Sequence, residues 1–184
     1  MRTTFFVIFI FIAARVQAKE IIWHNGSVVL STSEVLVGEI ARQSFELILL
    51  RNSSGLVRSY PAHKVSSFRY YDKEQDVNRT FLSVNNRYFE RIINGDLSVF
   101  RIQKVFDQKI SEKHPDFYDL YIVDGRKVYS LKSFRSKFFD RISEELDLQL
   151  ISHEHLDPNT RHGAVSLIVL YNQKSTLRAS AASI

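Results

Sequence analysis

The chain has 184 residues, of which 45% are hydrophobic, and a formal net charge of +5. This length suits one globular domain or two small ones, and so large a hydrophobic fraction excludes a disordered chain. There is no cysteine, which excludes disulfide bonds, a thiol nucleophile and Cys-ligated metal centres.

Residues 1–18 predict a signal peptide rather than a part of the fold. Arg2 gives a positive start, residues 5–14 are an unbroken apolar run, and Val16 and Ala18 fit a small-residue cleavage site. The apolar run is too short to cross a bilayer, which takes about 20 residues. We therefore expect export to the periplasm or the cell surface, with no transmembrane segment after cleavage. An uncleaved N-terminal anchor is the alternative.

The predicted cleavage also weakens the positive charge. The segment holds two of the 25 basic residues and none of the 20 acidic ones, so the mature chain carries +3. Basic residues are densest between 126 and 141, a stretch that we interpret as a solvated face, with a polyanion site as the alternative. Nucleic-acid binders concentrate their charge in a patch or stripe, so no nucleic-acid partner is expected.

Residues 19–106 predict a β-rich region. Short apolar runs are separated by turn residues about every eight to twelve positions, which is the spacing of an all-β region. Asn94 and Gly95, between two such runs, give the strongest hairpin signal, and Asn25 and Gly26 also predict a tight turn or corner. We expect an N-terminal antiparallel β-sheet or a small barrel.

Residues 117–173 predict a second hairpin followed by helices. Asp124 and Gly125 supply the hairpin turn, and Ser133 is a suitable cap for the first helix. Apolar residues then recur every four positions, as on one face of an α-helix. These residues are Phe134, Phe138, Ile142 and Leu146.

The end of the chain predicts a last helix and a tail. The helix is indicated by the spacing of Ala164, Leu167, Ile168 and Tyr171, and residues 174–184 are expected to be flexible. The second hairpin and the helices are too small to bury much surface alone, so we expect them to pack on the β-rich region as one unit. The predicted fold class is α+β.

Few residues suggest metal or cofactor chemistry. His153, Glu154 and His155, with His162, form the one ligand-like cluster of the sequence. On a helix, residues two apart point in nearly opposite directions, so His153 and His155 would not share an ion, whereas on a strand they could. The local pattern is helical, and we predict neither a metal site nor a cofactor.

Catalytic motifs are equally sparse. The sequence holds no G-x-S-x-G and no glycine-rich phosphate loop. Paired carboxylates would serve a hydrolase if Glu39, Glu46, Asp72 or Glu90 met in a cleft. We expect the protein not to be an enzyme. The alternatives are a hydrolase of envelope glycans or peptides, and a small-ligand carrier with an apolar cavity.

An aromatic stretch interleaved with arginine, residues 58–89, is the best candidate for a binding surface. Strand alternation places Phe68 and Tyr70 on a core side, and Arg69 and Tyr71 on an outer side. Together with Arg87, Arg69 and Tyr71 are the candidate binding residues. Ordinary packing of aromatic residues in a half-buried sheet is the alternative.

The order of several short motifs gives a resemblance over the whole mature chain. It begins with Gly26-x-Val28-x-Leu30, Leu36-x-Gly38-x-Ile40 and Tyr60-x-Ala62-x-x-Val65-x-x-Phe68-x-Tyr70-x-Asp72. In this order the chain resembles exported proteins common in Bacteroidota that have no established activity. Its opening is similar to SH3-like small barrels, which host many functions. We expect a non-enzymatic binding or interaction module for a protein or a component of the cell envelope.

Overall fold

The computed structural model describes residues 21–104, 117–125, 127–146 and 156–181. The predicted signal peptide and the histidine cluster at residues 153–155 lie outside the described residues, so those two predictions stay open.

One antiparallel sheet of ten strands organises the described part of the chain. The strands are β1 (His24–Leu30), β2 (Val35–Arg42), β3 (Leu47–Arg51), β4 (Val57–Pro61), β5 (Val65–Asp72), β6 (Val77–Val84), β7 (Arg87–Ile93), β8 (Leu97–Gln103), β9 (Tyr118–Asp124) and β10 (Lys127–Ser130). Their order across the sheet is β10-β9-β8-β7-β6-β5-β1-β2-β3-β4. Because β4 and β10 are the edges of an open sheet, the small barrel is not confirmed.

The two hairpins predicted from Asn-Gly and Asp-Gly pairs are confirmed. β7 and β8 flank Asn94 and Gly95, and β9 and β10 flank Asp124 and Gly125. The turn expected at Asn25 and Gly26 is wrong, since both residues lie within β1.

Gly26 instead permits a close approach of neighbouring strands. It pairs with Gly38 of β2 on one side and with Tyr70 of β5 on the other. A Cβ atom at Gly26 would lie 2.2 Å from the carbonyl oxygen of Arg69, which no side chain can tolerate. The glycine is therefore explained by crowding inside the sheet rather than by a turn.

The first hydrophobic core lies on one face of the N-terminal strands. Phe68 is at its centre, stacked on Phe81 with ring centroids 4.6 Å apart and edge-on to Tyr88 at 4.9 Å. The sheet bends back over this core, so that β7 reaches the segment before β3. There the backbone N–H of Tyr88 donates to the carbonyl of Phe45 at 2.7 Å. The members of the core are Val28, Ile40, Ile48, Leu50, Ala62, Val65, Phe68, Tyr70, Phe81 and Tyr88.

The predicted alternation along β5 is confirmed by burial. Phe68 and Tyr70 are buried in the first core, whereas Arg69 and Tyr71 are exposed on the opposite face. Burial raises the pKa of Tyr70 and of Tyr88, as expected for phenols surrounded by apolar side chains.

The second core lies between β8, β9 and the helices α1 (Phe134–Lys137), α2 (Phe139–Leu146) and α3 (Arg161–Ala181). The predicted helix face is confirmed, because Phe134, Phe138 and Ile142 are buried there. Phe138 interrupts the helix, with φ near −127°. The cap expected from Ser133 is not made. Instead, the Ser130 hydroxyl accepts from the backbone N–H of Lys132 at 3.3 Å.

The α3 helix is longer than expected and reaches Ala181. Residues 174–181 of the expected tail are therefore helical, and the physical reason is contact with α2. The Lys174 ammonium donates to the carbonyl of Glu145 at 2.5 Å, and Arg178 forms an ion pair with the Glu145 carboxylate. Across the described ranges, no helix is both long enough and apolar enough to cross a membrane.

Asn172 fastens α3 to the sheet. Its side-chain oxygen accepts from the backbone N–H of Leu97 at 3.0 Å, and its amide nitrogen donates to the Leu97 carbonyl at 2.8 Å. Both polar groups of Leu97 are thus satisfied inside the protein by one side chain. Gly95 makes room for this contact, because a Cβ atom there would lie 2.3 Å from the Asn172 amide.

Candidate functional site

A cavity of about 840 Å³ opens where the helices meet the ends of β8 and β9. One wall of the cavity belongs to the sheet, where Lys104 follows β8 and Tyr118 begins β9. The 3-10 turn Leu131–Ser133, α1 and α2 form a second wall, and the start of α3 forms a third. The volume lies within the usual range for small-molecule sites, about 300–1,000 Å³.

Positive charge predominates among the described lining residues of this cavity. Four are basic, and only two, Asp119 and Asp140, are acidic. The basic residues are Lys104, Lys132, Arg135 and Arg161. An excess of cations in a concave site raises the local concentration of anions and strengthens their binding, because the protein walls reduce screening.

The start of α3 adds backbone groups to the same wall. Thr160 lies just before the helix, and its hydroxyl oxygen accepts from the backbone N–H of Gly163 at 3.0 Å. The first N–H groups of a helix and its dipole both favour negative charge nearby. Gly163 allows the preceding loop to fold back, because a Cβ atom there would lie 2.1 Å from the Asp157 carbonyl oxygen.

Arg135 connects two walls of the cavity. Its guanidinium donates to the side-chain oxygen of Asn159 at 2.7 Å, across from α1 to the loop before α3. Asn159 is itself held by the Asp157 carboxylate. Its backbone N–H donates to that carboxylate at 2.8 Å, and its side-chain amide nitrogen donates to it at 2.7 Å. Arg135 is therefore oriented before any ligand arrives, and pre-ordering of this kind lowers the entropic cost of binding.

Aromatic and aliphatic side chains form the rest of the lining. Tyr118, Leu120, Leu131 and Ala164 are buried in or beside the second core, and Phe139 is half-buried. The cavity thus combines an apolar floor with charged groups, which is the usual composition of a site for small molecules.

A buried network of charges runs along the sheet toward this cavity. Arg79 donates to Asp72 at 2.8 Å and to Glu90 at 2.7 Å, and Arg101 donates to both oxygens of Glu90 at 2.8 and 3.0 Å. The Arg101 guanidinium lies over the ring of Tyr118, 4.6 Å from its centroid. Because Tyr118 lines the cavity, the network supports that wall from behind.

The four carboxylates considered for a hydrolase are held in ion pairs. Asp72 and Glu90 meet on Arg79, as described above. Glu39 instead pairs with Arg51 at 2.6 Å on the outer face of β2 and β3, and Glu46 lies 3.6 Å from Arg87. None of the four is among the described lining residues of the cavity.

Acid should destabilise the fold through Asp72. Burial raises the pKa of this carboxyl, but the hydrogen bond and charge of Arg79, with two backbone N–H groups, outweigh burial and hold the pKa below its ordinary 3.8. A carboxyl with a depressed folded-state pKa contributes stability above its unfolded-state pKa, and that contribution is lost as the pH falls through the folded-state pKa. We expect the free energy of unfolding to decline below about pH 4.

Urea unfolding of the wild type and of Asp72→Asn, followed across the acid range, measures this effect. The variant should show a shallower decline below about pH 4, and the exposed-carboxylate control Glu34→Gln should follow the wild type. Parallel pH profiles of the wild type and Asp72→Asn would contradict the assignment.

The three predicted binding residues lie on the outer face of the sheet, away from the cavity lining. Arg69 and Tyr71 are neighbours on β5, where Arg69 donates to the Ser27 hydroxyl at 3.3 Å and the Tyr71 hydroxyl bonds to Asp76. The hydrogen bond to Asp76 raises the pKa of Tyr71. Arg87 lies two strands away at the start of β7, roughly 15 Å from Arg69 by strand spacing and rise. That these three residues bind a partner stays a prediction.

The sequence pattern singled out only some of the cationic residues of the cavity. Lys132 and Arg135 belong to the basic stretch that we interpreted as a solvated face, whereas Lys104 and Arg161 are distant in sequence. Their proximity arises from the packing of α3 beside β8 and β9. His162 is exposed on α3, and within the described segments no three His, Asp or Glu side chains are grouped to hold a metal ion.

Comparisons of the chain with protein-family models, with curated proteins and with solved structures found no match. The resemblance to exported Bacteroidota proteins therefore stays a prediction, and only the site itself bears on the function.

Proposed function

We propose that this protein is an exported binding module, not an enzyme, whose cavity takes a small molecule or a partner's group that carries negative charge. The observation that carries the proposal is the excess of four cationic over two anionic side chains around a cavity of about 840 Å³. Export and a role in the periplasm or at the cell surface rest on the sequence prediction of a signal peptide.

The geometry favours binding an anion for two independent reasons. First, the cations come from three separate parts of the chain, the end of β8, the 3-10 turn with α1, and the start of α3, and all of them line one cavity. Second, the N-terminus of the 21-residue α3 is part of the lining and adds its partial positive charge. An arginine such as Arg135, already oriented by Asn159, suits a carboxylate or phosphate because its guanidinium donates two parallel hydrogen bonds.

The charges of the neighbouring network support binding rather than proton transfer. Asp72 and Glu90 are each bound to arginine, and the depressed pKa of Asp72 keeps its carboxylate ionised at neutral pH. A general acid would need the opposite shift. We interpret these carboxylates as structural groups that fix the cavity wall.

Removal of two cavity cations should weaken anion binding by about a hundredfold, because each lost charge-assisted hydrogen bond is worth roughly a factor of ten. We would titrate pyrophosphate and citrate into the mature chain by calorimetry and compare the wild type with Lys132→Ala combined with Arg135→Ala. The matched control, Lys127→Ala with Lys137→Ala, removes the same charge from exposed positions outside the described lining. It should change the affinity by less than about twofold.

If anion binding weakens equally in both double variants, net charge alone explains the effect, and a specific site is contradicted. The absence of measurable binding by the wild type to either anion, at low ionic strength where screening is smallest, would also contradict the proposal.

A small-ligand carrier is a second proposal, supported by the apolar floor formed by Leu120, Leu131 and Phe139. In that case the ligand would be an amphiphile with an anionic head. Titration with octanoate separates the two proposals. A carrier should bind octanoate more tightly than acetate, at about 0.8 kcal/mol for each buried CH₂ group, whereas a purely ionic site should bind the two alike.

A further inference from the structure

The edge strand β4 presents unpaired backbone groups. β4 pairs with β3 on one side and has no strand on its other side among the described residues. Two backbone bonds fix which residues face β3: Ala62 N–H donates to the Glu46 carbonyl, and Asn52 N–H donates to the Leu56 carbonyl. Hydrogen-bonded pairs alternate along an antiparallel ladder, so the pairs with β3 fall at even-numbered positions of β4.

The odd-numbered positions of β4 therefore direct their main-chain groups outward. Val57 and Ser59 each offer one N–H and one carbonyl in that direction, and Pro61 offers only a carbonyl. Natural proteins usually protect a free edge with charged side chains, proline or a bulge. β4 has proline at its end, which leaves a short open segment of two donors and three acceptors.

An apolar groove lies directly beside this open segment. It is a cavity of about 250 Å³ where β2 begins, β3 ends and β4 begins. Exposed aliphatic side chains surround it, and the exposed fraction reaches 75% for Val37 and 59% for Val35. Leu56 and Val57 are exposed next to them. Large aliphatic groups gathered at one place on a surface indicate a contact site.

Arg58 gives the groove its charge. It is an exposed residue of β4 that lines the cavity, and its guanidinium makes no hydrogen bond or ion pair with another described residue. The nearby Arg51 differs, because it is bound to Glu39 at 2.6 Å and lies over the ring of Trp23 at 4.4 Å. A ligand that reaches this end of the sheet therefore meets one available positive charge.

We propose that β4 binds an extended peptide segment of a partner protein as an additional strand. The backbone of the peptide pairs with Val57 and Ser59, an apolar side chain occupies the groove beside Leu56 and Tyr60, and a carboxylate meets Arg58. Strand addition of this kind takes its affinity from main-chain hydrogen bonds and its specificity from alternate side chains. A second copy of this chain that pairs through its own β4 is the less favourable occupant, because that strand carries Arg58 and no acidic residue.

The test uses a library of seven-residue peptides selected on the immobilised mature protein. We expect enrichment of alternating apolar residues with one Asp or Glu. Ser59→Pro removes an outward N–H without removing a bond to β3. It should therefore weaken the binding of the selected peptides by about tenfold. Ser59→Ala keeps that N–H and is the matched control. Arg58→Glu should reverse the preference, from acidic to basic peptides.

Three results would overturn this proposal. The first is equal binding of the selected peptides to the wild type and to Ser59→Pro, with circular dichroism and thermal unfolding showing that the variant is folded. The second is a selection without alternation or acidic residues. The third is a dimer in sedimentation experiments that Ser59→Pro dissociates, which would assign the edge to a second copy. Pyrophosphate binding at the other cavity should be unchanged in Ser59→Pro, so failure of one proposal leaves the other testable.

Discussion

Replacement of Arg79 by alanine should lower the free energy of unfolding by about 3–5 kcal/mol, the usual cost of breaking a buried ion pair. Arg79 is the centre of the buried network, with its side chain only 7% exposed and bonds to Asp72 and Glu90 on either side. Its removal leaves Asp72 without its arginine and Glu90 with Arg101 alone. The cost therefore comes mainly from buried negative charge that has lost its partner.

Chemical denaturation at neutral pH measures this loss, and Arg51→Ala is the matched control. Arg51 also pairs with a glutamate at 2.6 Å, but both partners are more than a third exposed. Solvent-exposed pairs of this kind contribute little to stability, so Arg51→Ala should lose much less than Arg79→Ala. If the two variants lose similar amounts, the network is solvated and the buried-charge explanation is wrong.

Asn172→Ala should cost about 2–4 kcal/mol, because one truncation strips two buried backbone groups of their partners. The N–H and the carbonyl of Leu97 are both bound by the Asn172 side chain, and Leu97 is fully buried. The neighbouring Gln173 is exposed on the same helix, so Gln173→Ala is a control that should change the stability by less than about 0.5 kcal/mol.

The contact between Asn172 and Gly95 allows a test that separates this anchor from general helix stability. Gly95→Ala should also destabilise, because its Cβ would meet the Asn172 amide at 2.3 Å. In the double variant that clash is absent, so the combined loss should be smaller than the sum of the single losses. Additive losses would show that the two residues act independently, which contradicts the anchor.

The fold was predictable where the physical cause is local. Strand alternation separates Phe68 and Tyr70 from Arg69 and Tyr71 without knowledge of any partner strand, because side chains alternate between the two faces of every strand. Gly95 and its preceding asparagine form a hairpin turn for a similarly local reason. Where the cause is distant, as for Gly26 against the carbonyl of Arg69, the same dipeptide gave the wrong prediction.

The C-terminal part shows the same division. The four-residue spacing of Phe134, Phe138 and Ile142 was sufficient to predict a buried helix face. Composition alone suggested that the chain is flexible from residue 174 onward. Its helix persists because Lys174 bonds to Glu145 of α2, and no feature within the tail itself indicates that contact.

By itself the sequence determined the class of this protein: α+β, free of disulfides, with two hairpins, a helical C-terminal part and a predicted export signal. These properties depend on composition and on periods of two and about four residues, which act over short stretches. Only the tertiary structure decided that the sheet stays open and that α3 places Arg161 in the lining of the same cavity as Lys104 and Lys132. Both depend on contacts between residues far apart in the chain, and local patterns carry no information about such contacts.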